Sequence, residues 1–196
     1  YIKSKKKLRI LEIGCGSGGN LEFLSQYGKV YAMETDDFAI KNAKSKKICE
    51  VRKGMLPNNI PYDKSFDIIC LFDVLEHIQD DELSLQAIDK YLNNNGKIIL
   101  TVPAYMFLWS GHDVASHHKR RYTKSQIRKL LDSTGFKKCY GSYYFSILFI
   151  VLAPIRLIQR FFKNNNANHD IRKENRFLNY LLIKLFSIES KILRYF

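Results

Sequence analysis

Apolar and polar positions fall into short blocks that alternate between two periods along the first three quarters of the chain. Leu8–Gly16 reads LRILEIGCG, a β-branched run ending in glycines, which predicts a strand followed by a tight turn. Leu21 and Leu24 at helical spacing predict a helix over Asn20–Tyr27, closed by Gly28. Val30–Glu34 is a second strand, and Asp37–Lys47 is a helix with Phe38, Ile40 and Ala43 apolar. Phe66–Asp73 (FDIICLFD) is near-continuously apolar, as a strand buried on both faces requires. Asp81–Leu92 reads as an amphipathic helix, Gly96–Val102 as another buried strand, and Thr123–Ser133 as a helix before Gly135. Strands alternating with helices predict an α/β fold, a doubly wound and mostly parallel sheet with helices on both faces. The pattern holds to about Phe145, so residues 1–145 are expected to form one domain.

Residues 146–196 read as a C-terminal helical extension. The segment 139–155 carries no charge, and Arg156, Arg160 and Lys163 follow it. It is shorter than the roughly 20 apolar residues that a membrane-spanning helix needs. It also begins with CYGSYYF, which reads as a sheet strand, and contains Pro154. A spanning helix is therefore not expected. Lys163–Asp170 reads as a polar linker, and Phe177–Phe196 as a final helix with Phe177, Leu181, Leu185, Ile188 and Ile192 on one stripe. Such apolar faces beside arginines either pack on the core or lie in a membrane interface.

With 196 residues, 46% of them hydrophobic, the chain can bury a core without disulfide or metal staples, and disorder of the whole is excluded. Its 32 Lys and Arg against 19 Asp and Glu give a net charge of +13. That charge is either a set of solvated faces or the footprint of an anionic partner, such as an anionic membrane surface. Cys15, Cys49, Cys70 and Cys139 show no C-x-x-C spacing, and no histidine stands at zinc-ligand spacing from them, so no metal site is expected. Scattered cysteines without a signal peptide point to a cytoplasmic location. Cys15 and Cys70 stand in glycine-rich or apolar surroundings and read as packing residues.

The informative stretch is Glu12-Ile13-Gly14-Cys15-Gly16-Ser17-Gly18-Gly19. Glycines after a buried strand let the backbone turn sharply and bring free N–H groups against a ligand. Gly14, Gly16 and Gly19 satisfy G-x-G-x-x-G, but the acid two residues earlier and Gly18 make the run E-x-G-x-G-x-G. No lysine or arginine stands in the loop, which disfavours a triphosphate-binding P-loop.

This segment resembles motif I of the class I S-adenosylmethionine-dependent methyltransferases, and later segments match in order. The resemblance implies a Rossmann-like fold, S-adenosylmethionine as cofactor and S-adenosylhomocysteine as product. It implies cofactor contacts from Glu12, Gly14, Cys15, Gly16 and Gly18 in the loop. Glu34, at the end of the second strand, resembles the acid that accepts the ribose hydroxyls, with Thr35 beside it. Gly54-Met55-Leu56-Pro57 falls where the family places its adenine-contacting turn; Met55 stands where an acid is usual, so adenine would rest on an apolar wall of Met55 and Leu56. Phe66-Asp67 through Asp73-Val74-Leu75-Glu76-His77 resembles F-D-x-x-x-x-x-D-V-L-E-H. Phe72, Asp73 and Val74 would then line the methionine end, and His77 would shape the pocket.

After the last strand come His112-Asp113 and His117-His118-Lys119-Arg120-Arg121-Tyr122-Thr123. The D-x-x-x-x-H-x-R-R-Y-T pattern resembles a subgroup associated with glycan, lipid-linked sugar and quinone biosynthesis. In that setting Asp113 and His118 stand on the acceptor side, with His118 as general base. Arg120 or Arg121 would clamp a phosphate or carboxylate, and Tyr122 would line the acceptor pocket. Read locally, the same residues do something plainer: His118 and Arg121 anchor the loop, Tyr122 packs, and Thr123 caps the following helix. The expected activity is O-methylation of a small or lipid-linked acceptor, with the basic tail held at the inner face of a membrane. An RNA or protein methyltransferase is favoured only by the charge; no N-P-P-Y-type signature is present and nucleic acid is not the expected partner. A non-catalytic cofactor-binding scaffold is the third reading. The opening at Tyr1 directly before a strand, and the close at Arg194-Tyr195-Phe196 without the family's last strand, predict a piece of a longer chain.

Overall fold

A computed structural model describes residues 8–63, 65–137, 140–146, 149–150, 153–154, 180, 183–184, 186–187, 189 and 191. The chain divides into two units, Tyr1–Pro103 with Lys129–Lys137, and Ala104–Arg128 with Lys138–Phe196.

The first unit is built on five strands: β1 (Leu8–Ile13), β2 (Gly28–Glu34), β3 (Glu50–Lys53), β4 (Phe66–Phe72) and β5 (Leu92–Thr101). All pair parallel, in the order β3-β2-β1-β4-β5. The expected α/β class with a parallel sheet is what forms. The order reverses between β1 and β4, and open α/β sheets bind ligands outside the carboxyl ends of strands at such a point. The helices α1 (Leu21–Ser25), α2 (Asp37–Ser45) and α3 (Asp81–Asp89) connect the strands. Their bounds are shorter than the apolar spacing predicts.

Central strands bury what their sequences promise. Leu11, Ile69, Cys70 and Leu71 are fully buried, and so is Phe66 at the start of β4. The Phe66 ring meets Tyr31 and Tyr62 edge-on at 5.5 and 6.2 Å, and the Arg9 guanidinium lies over Phe66 and Tyr31. Strand β3 has no clear signature, because EVRK offers one apolar residue, Val51. It forms because Val51 completes the core against β2, while the Tyr62 hydroxyl donates to the carbonyls of Ala32 on β2 and Glu50 on β3. Strand β5 begins earlier than expected, at Leu92, and passes Asn93-Asn94-Asn95 through a register shift opposite Phe66 and Ile68.

In the second unit, a 3₁₀ turn at Met106–Leu108 leads to α4 (Gly111–Ala115), and α5 (Lys124–Ser133) begins there. Thr123 and Gln126 form a reciprocal box at the start of α5: Thr123 N donates to Gln126 Oε1 at 2.8 Å and Gln126 N to Thr123 Oγ1 at 3.3 Å. The strand expected over CYGSYYF does not form across Tyr140–Phe145. The aromatic side chains there satisfy local backbone instead: the Tyr143 hydroxyl accepts from Lys124 N at 2.9 Å, its ring stacks on Tyr105, and Phe145 turns to φ 61°. Positions 146, 149, 150, 153 and 154, and further on 180, 183, 184, 186, 187, 189 and 191, are helical. The expected linker Lys163–Asp170 and the residues Arg156, Arg160, Phe177, Leu181, Leu185, Ile188 and Ile192 lie outside the described residues. Among the described residues, no helix is long and apolar enough to cross a membrane.

Replacing Phe66 by Ala should remove the ring that three neighbours pack against and destabilise the first unit by about 4 kcal/mol. Urea denaturation followed by far-UV dichroism checks this, and a midpoint unchanged from the parent chain would contradict it.

Candidate functional site

The glycine loop is fixed from two sides. The amides of Gly14 and Cys15 donate to the Met33 carbonyl at 2.8 and 3.1 Å, which draws the end of β1 against the end of β2. Lys46 Nζ, just past α2, donates to the Gly18 carbonyl at 2.7 Å. Gly14 and Gly16 take left-handed φ values of 69° and 52°. A Cβ at Gly14 would lie 2.6 Å from Val74 Cγ2, whereas a Cβ at Gly16 would meet nothing within 4 Å. Gly14 is thus required by packing and Gly16 borders open space.

Glu34 closes over this loop. Its Oε2 accepts from Gly16 N at 2.8 Å, and its Oε1 accepts from Thr35 N at 2.6 Å, Thr35 Oγ1 at 3.0 Å and Asp36 N at 3.2 Å. The Glu34 carbonyl accepts from Gly54 N, tying the Met55 turn to the same strand end. In that turn Met55 and Asn59 exchange backbone hydrogen bonds at 2.8 and 2.7 Å; Met55 is exposed and Leu56 is buried. Glu12 is buried, with Oε1 accepting from Asn20 Nδ2 at 2.9 Å and Oε2 lacking a hydrogen-bond partner among the described residues. Burial pushes its carboxyl above the usual range, against the lowering effect of Asn20. Burial also pushes the Cys15 thiol up to about 12, with Glu12 and Glu34 adding to the effect, so Cys15 is a packing group and not a nucleophile.

Phe72 at the end of β4 and Val74 just past it are half-buried, and His77 is exposed in a 3₁₀ turn at Leu75–His77. Asp73 has φ 54° and is held by Thr101: its N–H is shared between the Thr101 carbonyl and Oγ1, and the Thr101 hydroxyl donates back to Asp73 Oδ1 at 3.1 Å. The residues present fit S-adenosylmethionine. Gly16 leaves room where an adenosyl group would approach, Glu34 offers carboxylate oxygens at that spot, and the orphaned buried Glu12 Oε2 suits a cationic group. Asn20, Lys46 and Thr101 were not singled out from sequence, since their partners stand 8, 28 and 28 positions away.

In the second unit a separate cluster forms around Asp113, which is fully buried. Its Oδ1 accepts from Arg121 Nε at 2.7 Å and lies 3.0 Å from His118 Nδ1. Its Oδ2 accepts from Arg121 Nη2 at 2.9 Å, Ser110 N at 2.8 Å and Ser110 Oγ at 3.1 Å. Burial alone would raise this carboxyl; the bonds from Arg121, His118 and Ser110 outweigh it and hold it down at about 2. Arg121 gives its remaining nitrogen, Nη1, to the Ala104 carbonyl at 3.1 Å, so each of its three guanidinium nitrogens donates internally. Tyr122 is buried, and its carbonyl accepts from Tyr105 N. Arg120 is half-buried and Thr123 caps α5. Ser110 was missed, although its S-x-x-D spacing to Asp113 is the signature of a capping box.

Three outcomes follow from these contacts. Gly16→Ala should fold, with about 1 kcal/mol of left-handed strain, and lose S-adenosylhomocysteine binding in calorimetry; Gly14→Ala should lower the melting temperature through the Val74 clash. Asp113 has a folded-state pKa below its ordinary 3.8, so its contribution of ~2 kcal/mol is present above pH 4 and disappears as pH falls through about 2. Asp113→Asn should therefore be less stable than the parent at pH 7, and the gap should narrow on acidification, as read by thermal melts.

A family model described as a methyltransferase domain matches residues 2–139. A relative from Mycolicibacterium smegmatis, named "Probable S-adenosylmethionine-dependent methyltransferase", is 23% identical over 132 residues, which cover 65% of this chain and 51% of that protein. The ubiquinone biosynthesis O-methyltransferase of Pelagibacter ubique is 27% identical over 115 residues, covering 54% of this chain and 48% of its own. Among solved structures, the YcgJ protein of Bacillus subtilis superposes with a TM-score of 0.61 at 18% identity, over 87% of this chain and 82% of its own, which supports the Rossmann-like fold. The chain spans about half the length of the curated relatives it matches. Since the matched segment takes in the whole parallel sheet and both ends of the glycine loop, the chain belongs to the methyltransferase-domain family, and S-adenosylmethionine is the cofactor of that domain.

Proposed function

We propose that this chain transfers a methyl group from S-adenosylmethionine to an oxygen of a small or lipid-linked acceptor. The observation that carries the donor half is the Glu34 carboxylate, 2.8 Å from the Gly16 amide at the carboxyl ends of β1 and β2. When bound, the donor supplies a methyl group on a positively charged sulfur, which a nucleophile displaces in line. In this reading Glu34 turns its oxygens to the two ribose hydroxyls, Met55 and Leu56 flank the adenine, and Phe72, Asp73 and Val74 line the amino-acid end. Glu12, two residues before Gly14, offers its unpartnered Oε2.

An acceptor hydroxyl must lose its proton as the new bond forms, and His118 is assigned that proton. The Asp113 carboxylate, ionised at neutral pH, takes a hydrogen bond from His118 Nδ1 and so leaves Nε2 as the basic nitrogen. Arg121 is given the anchoring role, because its guanidinium holds Asp113 and the Ala104 carbonyl. Arg120 is left as the candidate clamp for an anionic group on the acceptor. Oxygen is favoured over an RNA or protein amine because Phe72-Asp73-Val74-Leu75 stands where such an amine-methylating enzyme would carry N-P-P-Y. The charge of +13 favours a second reading, methylation of RNA.

Release of S-adenosylhomocysteine in the presence of glycan, lipid and RNA extracts tests both. Release with glycan or lipid fractions is expected; release with RNA alone would replace the oxygen reading with the second. His118→Ala should keep donor affinity and reduce turnover by about 10²–10⁴, and unchanged turnover would remove His118 from the mechanism.

A further inference from the structure

Asp73 is the first residue past β4, and it holds a conformation that non-glycine residues avoid. Its φ of 54° is left-handed, a state that costs an L-residue roughly 1–2 kcal/mol, less for Asp and Asn than for others. Strain of this kind persists where the surroundings over-determine the backbone, and it concentrates at functional positions. What over-determines it here is one residue on the neighbouring strand. Thr101, the last residue of β5, accepts the Asp73 N–H at both its carbonyl and its Oγ1, each at 3.1 Å. The Thr101 hydroxyl then donates to Asp73 Oδ1 at 3.1 Å. A single hydroxyl thus closes a ring between the backbone and the carboxylate of the same aspartate, and fixes where that carboxylate points.

The two halves of this arrangement have different purposes. The Asp73 N–H to Thr101 carbonyl bond extends the β4–β5 ladder by one residue and would exist with any side chain at position 101. The hydroxyl adds nothing to the ladder that the carbonyl does not already give. It orients the side chain, with Oδ1 engaged and Oδ2 uncommitted among the described residues. The carboxylate itself is exposed and stands one residue before Val74, the side chain against which Gly14 packs. An oriented, exposed carboxylate just past the carboxyl end of β4, the strand beside which the sheet order reverses, is matched to a cation.

We infer that Thr101 is a positioning residue for donor recognition: its hydroxyl aims the Asp73 carboxylate at the cationic amino-acid end of S-adenosylmethionine. This rests on the reading of the donor site given above. It extends that reading to a residue on β5 that touches no ligand itself. Thr101 acts on selectivity between ligands that carry the ammonium group and ligands that lack it, and it leaves the grip on the adenosyl half to Glu34 and the glycine loop.

The test compares two ligands by calorimetry on the parent chain and on Thr101→Val, a change that keeps the β-branched shape and removes only the hydroxyl. S-Adenosylhomocysteine carries the amino-acid end, and 5′-methylthioadenosine lacks it. Thr101→Val should weaken S-adenosylhomocysteine about tenfold, the loss of one charge-assisted contact, and leave methylthioadenosine within about twofold. Thr101→Ser, which restores the hydroxyl, should return S-adenosylhomocysteine affinity to near the parent value. Equal losses for both ligands would mean a merely structural role and overturn the inference, as would unchanged affinity for both. If Thr101→Val does not fold, Asp73→Asn carries the same comparison, and an equal effect on the two ligands has the same meaning. A folded parent chain that binds neither ligand would overturn the donor-site reading itself, and this inference with it.

Discussion

The close approach of two strand ends makes the rest of the first unit possible. The Gly14 and Cys15 amides both reach the Met33 carbonyl, and the Gly16 amide reaches Glu34 Oε2, so the turn after β1 is stitched to the end of β2 by three hydrogen bonds. Only a residue without Cβ can sit at position 14, because Val74 fills the space on the β4 side. The loop is therefore gripped between two neighbouring strands, β2 by backbone and side-chain hydrogen bonds and β4 by van der Waals contact. Its uncrowded positions are Gly16 and Gly19. A parallel sheet whose order reverses between β1 and β4 supplies those two neighbours on opposite sides, which is why the crevice lies here and not at an outer edge.

Two buried carboxylates show how the same group is put to different uses. Asp113 is surrounded by donors on both oxygens, including a bidentate guanidinium, and stays ionised far below neutrality. Such a group is a fixed anchor: it orders Ser110, His118 and Arg121 around itself. Glu12 has one amide donor on one oxygen, and burial pushes its carboxyl up. A carboxylate left partly unsatisfied costs stability. Glu12 sits beneath the glycine loop, whose function would make use of that missing partner.

Which of these features the sequence discloses depends on whether the cause is local. Strand β4 is legible because a strand buried on both faces must be apolar throughout, and FDIICLF is. The glycine turn is legible because backbone geometry selects glycine directly. Strand β3 is not legible, since EVRK is recruited by the open edge of β2 and by Tyr62 more than by its own pattern. CYGSYYF misleads for the converse reason: aromatic residues favour strands on average, but here Tyr143 is taken by Lys124 N and Tyr105, and Phe145 by a left-handed turn. Arg121 was open to two readings, a clamp for an acceptor or an anchor for a loop. Only the geometry of Asp113, eight positions away, separates them, and it favours the anchor.

Asn20 and Thr101 illustrate a more general reason why supporting residues escape a linear reading. Neither carries a titratable group, neither falls within the glycine loop or the acid-bearing signatures, and each acts through a carboxylate that does. A motif records residues whose chemistry is used; the residues that aim that chemistry are chosen by the distance between strand ends, which the sheet sets. In this chain the sheet brings β5 alongside β4 so that the residue ending one strand meets the residue just past the end of the other. The left-handed backbone at Asp73 is tolerable there because Thr101 offers its N–H two acceptors at once. The Thr101 carbonyl continues the ladder into the strained residue and its hydroxyl orients the carboxylate, so the strain and the aim are held by one residue.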